Sequence, residues 1–240
     1  MPARSVELPV DQAVRLAVAT FEAEADPAYR DSLGPRYGIH ANDAYGVKMA
    51  SIQKLAKSLG RSQALADALW ATRCYEARML CAYVDDIEAV TPDRMDRWAA
   101  DFDNWAVCDT LCFSLWDRTP HAFDRIHAWA SRDEEFVKRA SFALLASVAL
   151  HGKGLLDDPF LDALTLIEPA AEDDRNFVKK GVNWALRAVG GRRRILNDEA
   201  IRIAERLAAS NAPTPRWVGK DALKALTSPQ LQERLAKKPS

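Results

Sequence analysis

The chain has 240 residues and a formal net charge of −1, with 48% hydrophobic and 28% charged residues. This length and composition are ordinary for a globular protein with a buried core. They exclude a membrane-spanning protein, because no apolar run approaches the roughly 20 residues that a spanning helix needs. The first residues, MPARSVELPVDQ, lack the basic-then-apolar order of a signal peptide, so a cytoplasmic location is expected.

The cysteines and histidines show no metal-binding pattern. The cysteines form no Cys-x-x-Cys pair, and the histidines are scattered without ligand spacing. The cysteines are Cys74, Cys81, Cys108 and Cys112, and the histidines are His40, His121, His127 and His151. The cysteines are interpreted as reduced, buried residues, and neither a metal nor a cofactor is expected.

Helix signals cover nearly the whole chain, and strand signals are scarce. Helices are predicted near residues 10–26, 49–59, 62–71, 73–84, 92–101, 105–117, 120–131, 133–151, 157–169, 174–189, 198–209, 215–227 and 229–237. Residues 27–48 are rich in Gly and Pro and lack periodicity, so a loop is predicted there. The expected organisation is one domain over 1–240, with a divergent N-terminal helix and loop in 1–48 and helical repeats in 49–237.

Several helix ends are predicted from capping residues. Thr-Pro pairs begin at Thr91, Thr119 and Thr214, and each is typical of an N-cap followed by the first helical position. Asn197 before Asp-Glu is predicted to be another N-cap. Gly152 and the pair at 190–191 are predicted to end helices.

One phrase occurs twice and indicates the fold. FVKRASFALL begins at Phe136, and FVKKGVNWALR begins at Phe177, 41 residues later. A looser third copy is RWVGKDALKAL, in which Trp217 falls 40 residues after Phe177. A helical repeat of this period predicts an all-α superhelix, a solenoid of HEAT-like helix pairs.

Four residues in and before these copies are candidates for chemistry. Spacing places Trp105 and Asp109 on one helical face. The Asp109 side chain either has a structural role, as a cap of a neighbouring helix or a partner of a basic residue, or is a functional carboxylate held in a cleft. Arg139 is either a surface residue, a buried partner of Asp109, or a guanidinium that binds phosphate. Trp184 is either a core residue or a surface for a planar or sugar-like ligand.

Charge is distributed unevenly along the chain. Residues 1–130 hold 14 Lys and Arg against 19 Asp and Glu, whereas residues 131–240 hold 19 against 15. The basic candidates for contacting a phosphate backbone are Lys138, Lys179, Lys180, Arg187, Arg192, Arg193 and Arg194. The alternative is that these cations are solvated residues near helix ends.

With these residues in view, the chain resembles the AlkD-like DNA alkylation-repair family of HEAT-like repeat glycosylases. The resemblance runs from AYGVKMASIQKLAK at 44–57 to the C-terminal RWVGKDALKALTSP, and it is strongest over 104–190. The phrases that carry it are NWAVCD, EEFVKRASFALLA and DRNFVKKGVNWALR. Ala106 departs from the Asp that many members have at this position.

The resemblance implies functional roles for the four candidate residues. Trp105 and Asp109 match the family's Trp-x-x-x-Asp, Arg139 matches its active-site Arg, and Trp184 matches the Trp before an aliphatic-Leu-Arg triplet. The implied activity is excision of N3- or N7-alkylated purines from duplex DNA by a monomer without metal or cofactor. The competing hypothesis is a non-catalytic HEAT-like module that binds nucleic acid or protein.

Overall fold

The structure is a computed structural model that describes residues 8–41 and 43–237. Residues 1–7 belong to the segment that lacks a signal-peptide pattern, and they lie outside the described residues. Across the described residues every regular element is helical, so the all-α prediction is confirmed. None of these helices is long and apolar enough to cross a membrane.

The chain divides into two compact units, Met1–Val90 and Thr91–Ser240. In the first unit the α-helices are α1 (Val10–Ala23), α2 (Pro27–Tyr37), α3 (Met49–Leu59), α4 (Gln63–Ala71) and α5 (Tyr75–Val84). In the second unit they are α6 (Pro92–Ala100), α7 (Trp105–Ser114), α8 (Ala122–Trp129), α9 (Glu135–His151), α10 (Asp158–Leu164), α11 (Ile167–Ala171), α12 (Asn176–Gly190), α13 (Arg194–Ala208), α14 (Pro213–Leu226) and α15 (Pro229–Ala236). Short 3₁₀ helices span Ile87–Ala89 and Trp116–Arg118. The single domain over 1–240 stays a prediction.

A buried carboxylate organises the first unit. Glu76 in α5 accepts backbone N–H groups from Tyr45 at 3.0 Å, Gly46 at 2.8 Å and Val47 at 3.2 Å. Gly46 has φ +85, and a Cβ there would lie 2.3 Å from the Asp26 carbonyl oxygen, so only glycine fits. The loop before α3 is therefore fixed onto α5, which itself packs against α3 and α4.

In the second unit, the helices that contain the repeated phrase lie next to one another. α7 packs against α9, α9 against α12, and α12 against α14, so these four helices form one layer. α8 and α13 pack against this layer, and α10 and α11 lie against α13. The central part of α9, residues 140–149, is completely buried because helices contact it on several sides.

The predicted loop at 27–48 is wrong over its first part, where α2 forms. Asp26 caps α2 by accepting the N–H of Tyr29, and Pro27 occupies the first turn. The helix ends at Gly38, which has a left-handed φ of 65. Asp-Pro is the same type of start signal as Thr-Pro, but the following Gly and Pro residues obscured it.

Two other predicted elements differ from the structure. The helix predicted over 157–169 is divided into α10 and α11, because Pro169 has no N–H to donate to the Thr165 carbonyl and its ring crowds that carbonyl. Asn197 is not an N-cap but lies inside α13. Its side-chain amide donates to the Gly190 carbonyl at 2.9 Å, a tertiary bond that local sequence does not reveal.

The capping predictions were correct only in part. Thr91 caps α6 by accepting the N–H of Arg94 at 3.3 Å, and Gly152 and Gly191 follow the ends of α9 and α12, as predicted. Thr119 instead donates to the Trp116 carbonyl at 2.8 Å, and α8 begins only at Ala122. Thr214 lies within the first turn of α14, which begins at Pro213. The N-cap predictions for Thr119 and Thr214 are therefore wrong.

Candidate functional site

Asp109 on α7 and Arg139 on α9 form a two-pronged ion pair. Arg139 Nε donates to Oδ1 at 2.9 Å, and Nη2 donates to Oδ2 at 2.7 Å. The Arg139 side chain is 8% exposed and that of Asp109 is 19% exposed. Arg139 Nη1 also donates to the Phe177 carbonyl at 2.7 Å, in the first turn of α12. One guanidinium therefore joins α7, α9 and α12.

The local sequence explains how α7 and α9 present this pair. Asn104 caps α7 because its side-chain oxygen accepts the N–H groups of Ala106 and Val107, each at 3.0 Å. One helical turn apart on the face toward α9, Cys108 donates to the Phe136 carbonyl and Cys112 to the Ala140 carbonyl, each at 3.6 Å. These contacts fix the register in which Asp109 meets Arg139. All four cysteines are buried and free, as predicted.

Gly181 on α12 lies against the Arg139 side chain. A Cβ on Gly181 would lie 3.5 Å from Arg139 Cγ, at ordinary contact distance. In the repeated phrase, Gly181 follows Lys180 as Ala140 follows Arg139, so both copies have a small residue at this position. The methylene groups of Arg139 are covered between the helices, while its guanidinium reaches Asp109.

Trp105 forms one wall beside the pair. Its ring centroid lies 6.0 Å from the central guanidinium carbon of Arg139, at the outer limit of a cation–π contact. It precedes Asp109 by one helical turn and is half-buried. An indole beside a carboxylate provides an apolar surface next to an anion.

Burial and charge act in opposite directions on the pair. Burial raises the pKa of the Asp109 carboxyl above its ordinary value, and this outweighs the lowering effect of the Arg139 charge and hydrogen bonds. Burial alone would lower the pKa of Arg139, but the charge of Asp109 and its hydrogen bonds raise it. Each carboxylate oxygen has a second lone pair, so Asp109 can still accept a bond from water.

Trp184 lies in a groove between α12, α14 and α15. The groove has a volume of about 820 Å³. The lining side chains that matter for binding are Lys180, Trp184, Arg187, Trp217, Asp221 and Arg234. The structure thus brings Asp109 and Arg139 into direct contact with Trp105 beside them, and Trp184 lines the groove.

The predicted basic residues have different environments. Lys138 pairs with Asp173 at 3.0 Å, and Arg193 pairs with Asp157 at 3.3 Å. Arg187 is exposed and lies 3.3 Å from Asp221. The other solvent-accessible members of the set are Lys179, Lys180 and Arg194.

Arg192 differs from the rest of the basic set because its side chain is buried. Its guanidinium donates to the Ala149 carbonyl at 2.7 Å and the Gly152 carbonyl at 2.9 Å, at the end of α9. It also lies 4.0 Å from the ring centroid of Phe160. A side chain used in this way is not presented to a phosphate backbone, so Arg192 is a structural residue in this arrangement.

Sequence reasoning missed Trp217 as a groove residue. Its indole is 42% exposed, and Lys179 Nζ lies 5.8 Å from the ring centroid. The sequence did single out this position, since the third copy of the repeat aligns Trp217 with Phe177. The alignment was informative about architecture, but burial was needed to show that Trp217 faces solvent.

Comparison with known proteins identifies the family and the fold. A family model described as DNA alkylation repair enzyme matches residues 17–226. A solved structure from "a new family of proteins related to the HEAT-like repeat DNA glycosylases with affinity for branched DNA structures" is 18% identical, with a TM-score of 0.73, over 87% of this chain and 93% of that chain. A designed armadillo repeat protein in complex with the peptide (KR)4 is 12% identical over 93% and 97% of the two chains, with a TM-score of 0.45. No curated protein matches the chain significantly.

The helical elements and the likeness to that first solved structure define an all-α protein of HEAT-like helical repeats, which confirms the predicted fold class. Because the family model covers most of its length, the chain belongs to the DNA alkylation repair enzyme family.

Proposed function

We propose that the protein is a DNA glycosylase that excises N3- and N7-alkylated purines from duplex DNA by hydrolysing the N-glycosidic bond. The observation that carries the proposal is the Asp109 carboxylate, which Arg139 holds beside the Trp105 indole. Membership of the DNA alkylation repair enzyme family supports it.

The proposed chemistry requires an anion and a water molecule but no proton donor for the leaving base. An N3- or N7-alkylated purine is already cationic, so it takes the electron pair of the breaking C1′–N bond and leaves as a neutral base. Positive charge then develops on the deoxyribose, where the Asp109 carboxylate stabilises it. Water adds to C1′ and gives its proton to Asp109, which leaves an abasic site.

The neighbouring residues position the DNA in this proposal. Arg139 holds the Asp109 carboxylate in place and contributes positive charge near the phosphate beside the lesion. Trp105 packs its indole against the deoxyribose. The corresponding contact of Trp184 with the sugar stays a prediction. Lys138, Lys179, Lys180, Arg187, Arg193 and Arg194 are the proposed contacts to the backbone.

A second candidate function is DNA binding without catalysis. Both oxygens of Asp109 accept bonds from Arg139, which is also what a purely structural ion pair would show. In addition, the similar solved structure comes from proteins whose described property is affinity for branched DNA. Under this candidate, Asp109 holds α7 against α9 and the cations alone bind the backbone.

Replacing Asp109 with Asn tests the choice between the two functions. The substitution keeps the shape and removes the anion, so the rate of 7-methylguanine release from methylated duplex DNA should fall at least about 100-fold. Released bases would be measured under single-turnover conditions, with DNA affinity measured in parallel. Asp124→Asn, the same change at an exposed position on α8, is the control and should keep the wild-type rate.

Two results would reject the glycosylase assignment. Either the wild-type protein releases no alkylated base, or Asp109→Asn releases it at the wild-type rate. Retained DNA binding together with either result would favour the non-catalytic candidate. A thermal melt of each variant shows that loss of activity does not come from unfolding.

A further inference from the structure

We propose that the groove between α12, α14 and α15 binds unpaired nucleotides of single-stranded DNA, whose bases stack on Trp184 and Trp217. Trp184, Lys180 and Arg187 are also contacts in the proposed glycosylase function, but this inference goes beyond it, because single-strand binding needs neither a damaged base nor the Asp109 carboxylate. Three features of the groove support this binding: the two indoles, the charges around them and the space between them.

The two tryptophans are placed as surfaces for a ligand and not as core residues. Trp217 is 42% exposed, although an indole on an apolar helix is usually buried. Trp184 is half-buried, and within the described residues no hydrogen bond or aromatic ring contact engages it. Both line the same groove. Aromatic faces that are open to solvent are the platforms on which unpaired bases stack.

The charges around these indoles fit phosphate groups. Lys180, Arg187 and Arg234 line the groove against one carboxylate, Asp221. On α12 the order is Lys180, Trp184, Arg187, which places an indole between two cations that are about 10 Å apart along the helix axis. Alternation of cations with aromatic rings is the pattern of a site that follows a single strand.

Duplex DNA offers no free base face on which the two indoles could stack. In a duplex both faces of each base are already stacked on neighbouring base pairs, so only phosphates and groove edges are available to Trp184 and Trp217. The groove volume of about 820 Å³ leaves room for a base between the helices. Asp221 pairs with Arg187, so a partner protein without anionic groups would leave Lys180 and Arg234 without counter-charges.

The test compares two oligonucleotides that differ only in their bases. Fluorescence anisotropy would give the affinity of the full-length protein for labelled octathymidylate and for an abasic oligomer of the same length and charge. We expect octathymidylate to bind more tightly. Trp217→Ala should weaken octathymidylate binding about 5- to 150-fold and leave binding of the abasic oligomer almost unchanged.

Matched variants separate stacking from charge and from folding. Trp217→Phe keeps an aromatic face and should retain most of the preference for bases. Lys180→Ala should weaken the binding of both oligomers. It should also make the slope of log K against log salt shallower by about 0.7. Leu156→Ala, at a side chain that is 72% exposed and outside the groove, is the control that should change neither affinity.

Equal binding of the two oligomers by the wild-type protein would overturn the proposal. A preference for bases that survives Trp217→Ala, or a self-association of the protein that Trp217→Ala abolishes without affecting DNA binding, would also overturn it. Because both oligomers are undamaged, these outcomes are separate from the glycosylase test. The protein could prefer octathymidylate without releasing any alkylated base, or it could release alkylated bases without preferring octathymidylate.

Discussion

At the scale of single residues, Arg139 has two effects on Asp109. Its charge and two hydrogen bonds offset the cost of burying a carboxylate, and the same charge lowers the pKa of Asp109 against the raising effect of burial. A carboxylate without this partner would take up a proton more readily. Arg139 therefore favours the anionic form of the proposed catalytic group, against the effect of burial.

This relation predicts how the activity depends on pH. Since the proposed reaction needs ionised Asp109, activity is present above the pKa of Asp109 and is lost as the pH falls through it. Replacing Arg139 with Gln removes the positive charge that lowers this pKa, so the acid limb of the profile should move to higher pH. Single-turnover rates of base release, measured across pH with enzyme in excess, would show the shift.

The control for this profile is Lys180→Ala, which removes a cation outside the pair. It should leave the acid limb at its wild-type position, whatever its effect on DNA affinity. An acid limb that stays in place in Arg139→Gln would mean that the titrating group is not Asp109.

A second pH effect is predicted at Asp173, which lies just before α12. Its carboxylate accepts bonds from Arg175 at 2.6 Å and from Lys138 at 3.0 Å, and these interactions hold its pKa well below the ordinary value. Because the pKa is lowered in the folded state, the stabilisation is present above the unfolded value of about 3.9 and is lost as the pH falls through the folded value.

Asp173→Asn should therefore lower the free energy of unfolding by about 1–3 kcal/mol near neutral pH, since two cations lose a mostly buried partner. The difference from wild type should narrow in acid, which urea denaturation at several pH values would measure. Asp174→Asn, an exposed neighbour, should change stability by less than about 0.5 kcal/mol. If the difference in unfolding free energy between wild type and Asp173→Asn does not vary with pH, the stabilisation does not come from the ionised Asp173 carboxylate.

At the scale of helices, two glycines in the repeated layer have different functions. A Cβ on Gly219 in α14 would lie 2.2 Å from the Ala208 backbone nitrogen and 2.5 Å from the Ala204 carbonyl oxygen in α13. These are backbone atoms that cannot move aside. At Gly181 the nearest atom would be 3.5 Å away, which is normal contact.

The substitutions Gly219→Ala and Gly181→Ala should therefore have opposite effects. Gly219→Ala forces α13 and α14 apart and should cost at least about 2 kcal/mol of unfolding free energy. Gly181→Ala fits and gains helix propensity, so it should be neutral or stabilising by up to about 1 kcal/mol. Thermal and urea unfolding of the two variants would measure this. Equal destabilisation of both variants would contradict the close approach at Gly219.

The same scale shows what the sequence could predict. The long apolar phrase SFALLASVAL correctly predicted a buried helix, because a segment with almost no polar face is packed on several sides, and all of it except Leu150 is buried in α9. Helix ends were less predictable, because the Asn197 amide and the Thr119 hydroxyl form bonds that depend on neighbouring groups. Local patterns specify what a residue is able to do, and packing determines which option is used.

At the scale of the molecule, the repeat made the Asp109–Arg139 pair one of the predicted alternatives, because helices of adjacent repeat units lie side by side. The charge distribution was less informative. Sequence counts cations equally, whereas the structure shows Arg192 buried and Lys138 and Arg193 paired with carboxylates. The exposure of Trp217 likewise depends on how α14 lies against its neighbours.

This distinction between cations sets the expected strength of electrostatic DNA binding. The proposed contacts that no carboxylate pairs with in the described residues are Lys179, Lys180 and Arg194. Three phosphate contacts predict that log K for duplex DNA falls with log salt with a slope of about −2.7. Replacing Lys180 and Arg194 together with Ala should make the slope shallower by about 1.8, because two released counterions are lost. Titrations at several salt concentrations would measure both slopes.

Lys153→Ala, at an exposed position outside the proposed set, should leave the slope unchanged, because its charge releases no counterion from the bound duplex. If this control lowers the slope as much as Lys180→Ala does, binding follows the total charge of the protein and not the proposed surface. If the double variant keeps the wild-type slope, these two cations do not contact phosphates, and the backbone must lie against another part of the molecule.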